Sequence, residues 1–235
     1  MKGILYTLLI FTLYFSSGQQ RYISSAIIAF SGGAYERTIR DINTALENES
    51  VLTVEEKSKA YFYRGIATAR LHGMTSESGN TQNAYVDAFN DLRKVKSFNV
   101  ESWGARTNKE LESLFPKLKS EASKILEQSK QTQASRARRD LISSTLKHLN
   151  AAKILKDDYE TQQMIGETYL ALGDYYSNQD SDRSRANYRA SLRYFESSLN
   201  MNNDCVSCIN SLIVVSKKLS DDFRVKRYTQ LIQTF

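Results

Sequence analysis

The sequence of 235 residues has one proline and two cysteines, and it lacks long stretches of alternating Val, Ile and Thr. Such stretches are typical of β-strands, and frequent proline is typical of chains rich in turns. Their scarcity, together with many Ala, Leu, Lys, Glu and Ser residues, favours an all-helical fold. The two histidines, His72 and His148, have no cysteine or carboxylate at ligand spacing, so we expect no metal site.

Sequence motifs of common enzyme classes are also missing. There is no Gly-x-Ser-x-Gly, no phosphate-binding Gly-x-x-x-x-Gly-Lys and no His-Glu-x-x-His. The formal net charge of +6 is mild for this length, whereas nucleic-acid binding normally requires a concentrated basic face. We therefore predict a protein that is not an enzyme, needs no cofactor and does not bind nucleic acid.

The N-terminal stretch MKGILYTLLIFTLYFSSGQQ is typical of a secretory signal. Lys2 provides a positive start, residues 4–15 are apolar, and Ser16, Ser17 and Gly18 are small residues of the kind that precede a cleavage site. The apolar run reaches about 18 Å as a helix, short of a hydrocarbon core of about 30 Å, which disfavours a membrane span. We expect a signal peptide at 1–18, cleavage near Gly18, and a periplasmic or secreted mature chain without a transmembrane segment.

Three segments share one helical pattern, at residues 33–46, 83–95 and 185–199. In each of them apolar residues recur three and four positions apart, which predicts a helix with one apolar face. A partner helix is predicted upstream of each segment, at 21–33, 60–73 and 162–176. The pattern therefore indicates repeated pairs of helices.

Small residues stand near the middle of the upstream helices: Ala26, Gly65 and Gly166. Glycine costs a helix about 1 kcal/mol relative to alanine, so we expect the two glycines to be needed for close packing against the next helix. Other glycines stand near the ends of the same helices: Gly32, Gly33, Gly73 and Gly173. We predict that they form the C-caps.

The middle of the chain has a weaker pattern. The stretch Thr107-Asn108-Lys109-Glu110 resembles a capping box and predicts that a helix begins there. Apolar residues from 111 to 126 continue this helix, but Pro116 lies within it, so we expect a kink or a new helix start. A further helix is predicted at 135–156, and the polar segments 74–82 and 177–185 are predicted to be loops.

The segment QMIGETYLALGDYY resembles the first helix of a tetratricopeptide repeat at Ile165-Gly166, Tyr169 and Gly173-Asp174-Tyr175. The stretches YFYRG and DAFNDLRKV are similar to the variant of that repeat with Arg-Gly in its first helix and Asp in its second. The resemblance implies an all-α fold in which about five helix pairs stack as a right-handed α-α superhelix. The implied domain covers 19–235, with repeats at about 19–52, 53–100, 107–157, 158–203 and 204–235.

In this family the first helix of each pair lines a concave groove, and the resemblance implies the same here. The residues so placed are Ile23, Ile27, Phe30, Lys59, Phe62, Ile66, Arg70, Gln163, Glu167 and Leu170. Their mixture of apolar, aromatic and polar side chains suits an extended or helical peptide. By pattern alone, Ile23, Phe30 and Phe62 fit the core equally well. The implied function is a protein- or peptide-binding scaffold or adaptor in the cell envelope or periplasm.

Two further hypotheses are compatible with the sequence. The basic cluster consists of Lys130, Arg136, Arg138 and Arg139. It is most simply a solvated helix face, and the alternative is a binding site for an envelope glycan or a lipid headgroup. Cys205 and Cys208 are three residues apart at a predicted helix start, which fits a structural disulfide, a redox site at Cys205, or the packing of two small side chains.

Overall fold

A computed structural model describes residues 18–74 and 83–235. No β-strand occurs within these residues, and the predicted all-helical fold is confirmed. The helices are α1 at 18–31, α2 Tyr35–Leu46, α3 Val54–Met74, α4 Ala84–Ser97, α5 Glu101–Gln131, α6 Ser135–Leu155, α7 Tyr159–Tyr176, α8 Ser181–Met201, α9 Val206–Lys218 and α10 Asp222–Ile232. A short 3₁₀-helix, Glu49–Val51, lies between α2 and α3.

Helices that follow each other in the chain pack against each other. α3 packs against α4, α7 against α8, and α9 against α10, and α8 also contacts α9. Because most of these contacts join sequence neighbours, the arrangement is consistent with an α-helical repeat. The repeat boundaries given above remain a prediction.

The chain divides into two compact units, Met1–Leu114 and Phe115–Phe235, and the division falls within α5. The core of the first unit consists of Ile23, Ala26, Ile42, Ala45, Leu52 and Ala60. The largest cluster of the second unit consists of Tyr188, Leu192, Phe195, Ile209, Leu212, Val215 and Tyr228. A smaller cluster there joins Ala122 of α5, Leu149 of α6 and Ile165 of α7.

Gly65 lies at the contact between α3 and α4. A Cβ atom added at this glycine would stand 3.1 Å from the carbonyl oxygen of Ala88 and 3.2 Å from the Cβ of Asp91. Carbon–carbon contacts are most favourable at about 3.5–4.0 Å, so a larger residue would press the two helices apart. The expected role of Gly65 in close packing is confirmed.

At Gly166 and at Gly173, the absence of a side chain leaves room for an aromatic ring of α8. A Cβ atom at Gly166 would stand 2.8 Å from the ring of Phe195, and one at Gly173 would overlap the ring of Tyr188. The predicted C-cap at Gly173 is therefore wrong, since α7 continues to Tyr176 and the glycine makes room for Tyr188. Gly73 likewise lies inside α3, which extends to Met74.

α5 is one continuous helix, and it corrects the expected helix start at Thr107. It begins at Glu101, before the supposed capping box, and Thr107 lies fully buried within it. Of the two alternatives at Pro116, a new helix start is not observed, since α5 continues through the proline. A real capping box opens α3 instead: Thr53 N–H donates to Glu56 Oε2 at 2.8 Å, and Glu56 N–H donates to Thr53 Oγ1 at 3.2 Å.

The segment 177–185, predicted to be a loop, is helical over its second half. α8 begins at Ser181, and Asp180 caps it by accepting a hydrogen bond from the backbone N–H of Arg183 at 2.9 Å. The polar composition reflects an exposed first turn of a helix rather than a long loop. Residues 75–82 of the other predicted loop and residues 1–17 of the predicted signal peptide lie outside the described residues.

Candidate functional site

A cavity of about 610 Å³ lies in the first unit. It is formed by the end of α1, the turn that follows, the start of α2, the middle of α3 and the first half of α5. Its lining residues are Phe30, Ser31, Gly33, Tyr35, Phe62, Tyr63, Ile66, Arg70, Arg106, Lys109 and Glu110. The size lies within the range of about 300–1,000 Å³ that is usual for ligand-binding pockets.

The turn after α1 forms one wall of the cavity. Gly33 has a φ of +76°, a conformation that glycine adopts without steric cost. The N–H of Ala34 donates to the carbonyl of Ala29 at 2.9 Å and closes the end of α1, so the predicted cap at this glycine pair is confirmed. The turn brings the ring of Tyr35 edge-on to that of Phe30, with 5.5 Å between centroids.

Aromatic rings form the other walls. The centroids of Phe30 and Tyr63 lie 5.2 Å apart in an edge-to-face contact, and those of Phe62 and Trp103 lie 4.9 Å apart. Trp103 Nε1 donates to Glu55 Oε1 at 2.8 Å and so ties α5 to the start of α3. Aromatic pairs contribute about 0.5–1.5 kcal/mol each beyond their buried area, so these rings hold one another in place.

Arg70 lies over the rings contributed by the turn. Its Cζ is 4.8 Å from the ring centroid of Phe30 and 5.8 Å from that of Tyr35. Its Nη1 donates a long hydrogen bond of 3.4 Å to the Tyr35 hydroxyl. Stacking of this kind attracts the cation to the negative face of the ring.

Arg106 lies over a second pair of rings, those of Phe62 and Trp103. Its Cζ lies 5.5 Å from the ring centroid of Phe62 and 5.4 Å from that of Trp103. Lys109 and Glu110 follow it along α5 and also line the cavity. Two stacked guanidinium groups and one ammonium group therefore face the same space.

Four residues expected in the groove line this cavity: Phe30, Phe62, Ile66 and Arg70. The last three are spaced four residues apart on α3, which places them on one face of the helix. Phe62 and Ile66 are 3% and 4% exposed, so they form the buried base of the cavity while Arg70 remains exposed.

Three other expected groove residues of the first unit do not line the cavity. Ile23 is 3% exposed and packs with Ala26 and Ile42, so of the two placements left open for it, the core is the one observed. Ile27 is half-buried against the same cluster, and Lys59 is half-buried on α3.

The remaining expected residues lie on α7 in the second unit and make contacts within it. Gln163 Nε2 donates to Glu167 Oε1 at 3.0 Å, and Gln163 Oε1 accepts a hydrogen bond from Ser207 Oγ at 3.3 Å. Leu170 packs against the cluster that contains Phe195. These side chains help to hold α7 against its neighbours.

The sequence interpretation missed seven lining residues: Ser31, Gly33, Tyr35, Tyr63, Arg106, Lys109 and Glu110. Arg106 was missed because the helix was expected to begin at Thr107, which left Trp103 and Arg106 outside any helix. A usable signal is the three-residue spacing of Trp103 and Arg106, since side chains at that spacing meet on a helix surface.

Cys205 and Cys208 form a disulfide, with 5.2 Å between their Cα atoms. Both cysteines are buried, at 5% and 0% exposure. Cys205 stands at the N-cap of α9, where its sulfur accepts a hydrogen bond from the Cys208 N–H at 3.2 Å. Of the interpretations left open, this geometry corresponds to the structural disulfide.

The basic cluster is partly paired with acidic neighbours. Lys130 Nζ lies 2.9 Å from Glu127 Oε2, and Arg139 Nη2 lies 3.0 Å from Asp140 Oδ1. These pairs reduce the net charge that the cluster presents to a ligand. They are typical of a solvated helix surface.

Within residues 18–74 and 83–235, no three histidine, cysteine or acidic side chains are grouped so as to hold a metal ion. No helix in that same part of the chain combines the length and the apolar character needed to span a membrane. No protein-family model matches the sequence, and no curated protein matches it either.

Proposed function

We propose that this protein is a non-catalytic, tetratricopeptide-like adaptor that binds a peptide or protein segment in the cavity of its first unit. The observation that carries this proposal is the cavity itself, with aromatic walls and two stacked arginines on a scaffold of paired helices. The packing of consecutive helices and the close contacts at Gly65 and Gly166 support the family assignment. A right-handed stacking of the helix pairs is part of the same proposal.

The lining chemistry favours a peptide over a small metabolite. Aromatic and arginine side chains are enriched at the positions that dominate protein–protein binding energy. Rings such as Phe30 and Tyr63 offer apolar contact area, and the arginine edges can orient a backbone or a polar side chain. Since the rings already support one another, little side-chain entropy would be lost on binding.

An extracytoplasmic location is part of the proposal. The signal-like N-terminal pattern supports it, as does the disulfide between Cys205 and Cys208, because disulfides persist in oxidising compartments such as the periplasm.

The test is selection of peptides from an unbiased displayed library on the purified protein, followed by calorimetric measurement of the affinity of the selected peptides. A Ser31→Phe variant should weaken binding by roughly tenfold or more, because the new ring fills part of the cavity.

The matched control is Ser97→Phe. Both serines are the last residue of an exposed helix end, both donate their hydroxyl to a carbonyl of their own helix, and only Ser31 lines the cavity. Failure to select any peptide, or equal affinity of both variants and the unmodified protein, would contradict the proposed function.

A further inference from the structure

The charged side chains that line the cavity carry more positive than negative charge. Arg70, Arg106 and Lys109 are positive, and Glu110 is the acidic residue among them. None of these three cations forms an ion pair with any residue in 18–74 or 83–235, and the hydrogen bond of Arg70 goes to the neutral hydroxyl of Tyr35. The cavity thus presents positive charge that the described part of the chain does not neutralise.

Another arginine of the same unit shows the contrasting arrangement. Arg64, also on α3, donates from Nε and Nη2 to the two carboxylate oxygens of Asp91 at 2.8 and 2.7 Å, and from Nη1 to Asn43 Oδ1 at 2.9 Å. Its donors are used within the fold. Arg64 also lies over a ring, with its Cζ 5.1 Å from the centroid of Tyr61, so what distinguishes it from Arg70 and Arg106 is the ion pair.

Arg70 and Arg106 lie over aromatic rings, and the hydrogen bond that their N–H groups make with the described residues is the long one from Arg70 Nη1 to the Tyr35 hydroxyl. Stacking on an aromatic ring uses the flat face of the guanidinium and leaves the N–H donors at its edge available. These edges match the two oxygens of a carboxylate, which arginine binds through paired, charge-assisted hydrogen bonds. The two side chains are thus oriented for an anionic group before it arrives.

We propose that the cavity binds an acidic peptide segment in which an aromatic or large aliphatic side chain neighbours the carboxylates. This inference rests on the proposed function and adds the charge and composition of the ligand. The carboxylates would contact Arg70 and Arg106, with Lys109 adding positive charge, and the apolar side chain would cover the exposed parts of Phe30 and Tyr63. A bare anion would leave these rings in water, so the apolar walls favour a peptide.

The chain contains a built-in reporter for this binding. Trp103 is its single tryptophan, and it contacts both Phe62 and Arg106 of the lining. Three unlabelled decapeptides without tryptophan serve as probes: one alternates Glu with Phe or Leu, and the other two carry Gln or Lys in place of every Glu. The affinity of each peptide is measured by Trp103 fluorescence and by calorimetry. For the Arg106 variants only the calorimetric affinity is used, because these substitutions alter the surroundings of Trp103.

We expect the acidic peptide to bind at least roughly tenfold more tightly than its Gln counterpart, because a hydrogen bond to a charged group is worth at least that factor. Binding should weaken as salt is raised, since exposed charges are screened. Arg70→Gln and Arg106→Gln should each weaken binding about tenfold, and Arg106→Lys should also weaken it because lysine keeps the charge but loses the flat stacked fork.

The control variant is Arg93→Gln on α4, which removes an arginine stacked 5.5 Å from the ring of Phe89, outside the cavity. Its affinity for the acidic peptide should be unchanged, and circular dichroism should show that all variants fold alike.

Equal affinity of the three peptides, or no effect of the two Gln variants, overturns the inference. If Ser31→Phe still abolishes binding of library-selected peptides in that case, the proposed function stands and only the ligand charge is wrong. Displacement of the acidic peptide by millimolar inorganic phosphate also overturns it.

Discussion

The ring of Phe195 lies directly against Gly166, so a Cβ atom added to this glycine would stand 2.8 Å from Cε1 of the ring. Phe195 is fully buried, and Ser191, one turn earlier on α8, donates a hydrogen bond of 2.7 Å to the Gly166 carbonyl. The ring and the hydroxyl together seat α8 on α7. The packing of this helix pair therefore depends on the absence of a side chain at one position.

This contact makes Gly166→Ala destabilising. Alanine gains about 1 kcal/mol in helix propensity, but overpacking against a fixed ring costs about 1–3 kcal/mol, so we expect a net loss of up to about 2 kcal/mol. The matched control is Gly104→Ala in α5, where nothing lies within 4 Å of the added Cβ and the same substitution should stabilise by up to about 1 kcal/mol. Urea unfolding of both variants measures the difference, and stabilisation by Gly166→Ala would contradict this account.

The ion pair of Arg64 and Asp91 should contribute to stability, since the two side chains are only 25% and 12% exposed. Removing one partner of a buried pair costs about 3–5 kcal/mol, and the partial exposure here reduces the expected cost of Arg64→Gln or Asp91→Asn to about 2 kcal/mol. A double-mutant cycle should give a clearly favourable coupling energy. The pair of Lys130 and Glu127, exposed at 60% and 59%, is the comparison, and its coupling should be below about 0.5 kcal/mol. Equal coupling energies in the two pairs would show that burial does not strengthen the ion pair.

Acid should weaken the start of α7 through Asp158. Burial raises the pKa of this carboxyl, but hydrogen bonds from the Thr161 side chain and backbone, together with Lys119, outweigh burial and lower the pKa below its ordinary value of 3.8. A carboxyl with a lowered pKa in the folded state stabilises that state while ionised, so its contribution is complete above the unfolded pKa and is lost as pH falls through the folded pKa.

Asparagine keeps a capping oxygen but loses the charge that faces Lys119, so we expect Asp158→Asn to cost about 0.5–1 kcal/mol at neutral pH and progressively less below about pH 4. Urea unfolding followed by circular dichroism at several pH values measures this difference. The exposed Asp204→Asn serves as the control and should change stability little at any of these pH values. A cost of Asp158→Asn that persists unchanged at pH 2.5 would contradict the assigned hydrogen bonds.

The disulfide of Cys205 and Cys208 should give modest stability, because it closes a loop with a sequence separation of only 3. The chain-entropy estimate for so short a loop is about 2 kcal/mol. A double variant, Cys205→Ser with Cys208→Ala, should lose about this amount while keeping an N-cap oxygen for α9. Intact-mass measurement after alkylation should find no modified cysteine until the protein is unfolded and reduced. Alkylation of the native, unreduced protein would show that the thiols are free.

Much of the helical framework followed from the sequence. Apolar residues three and four apart identified most of the helices, because this spacing aligns side chains on one face wherever the backbone is helical. Gly65 and Gly166 were correctly expected at helix contacts, an inference that depends only on local geometry. Phe62, Ile66 and Arg70 were placed together by the family resemblance, and all three line the cavity.

Tertiary packing decided what local geometry left undetermined. Thr53-Val-Glu-Glu56 and Thr107-Asn-Lys-Glu110 have the same capping pattern, yet only the first caps a helix, because Thr107 is buried within α5. Gly173 has the position of a cap but receives a ring from α8. The site was also decided by packing: Arg106 reaches the cavity because α5 meets α3, although the two helices are not consecutive, and Ile23 enters the core because α1 packs against α2. Helix hydrogen bonds and the spacing of apolar side chains depend on residues that are close together in the sequence, so the sequence predicts them. Burial depends on which helices come into contact, and tertiary packing decides that.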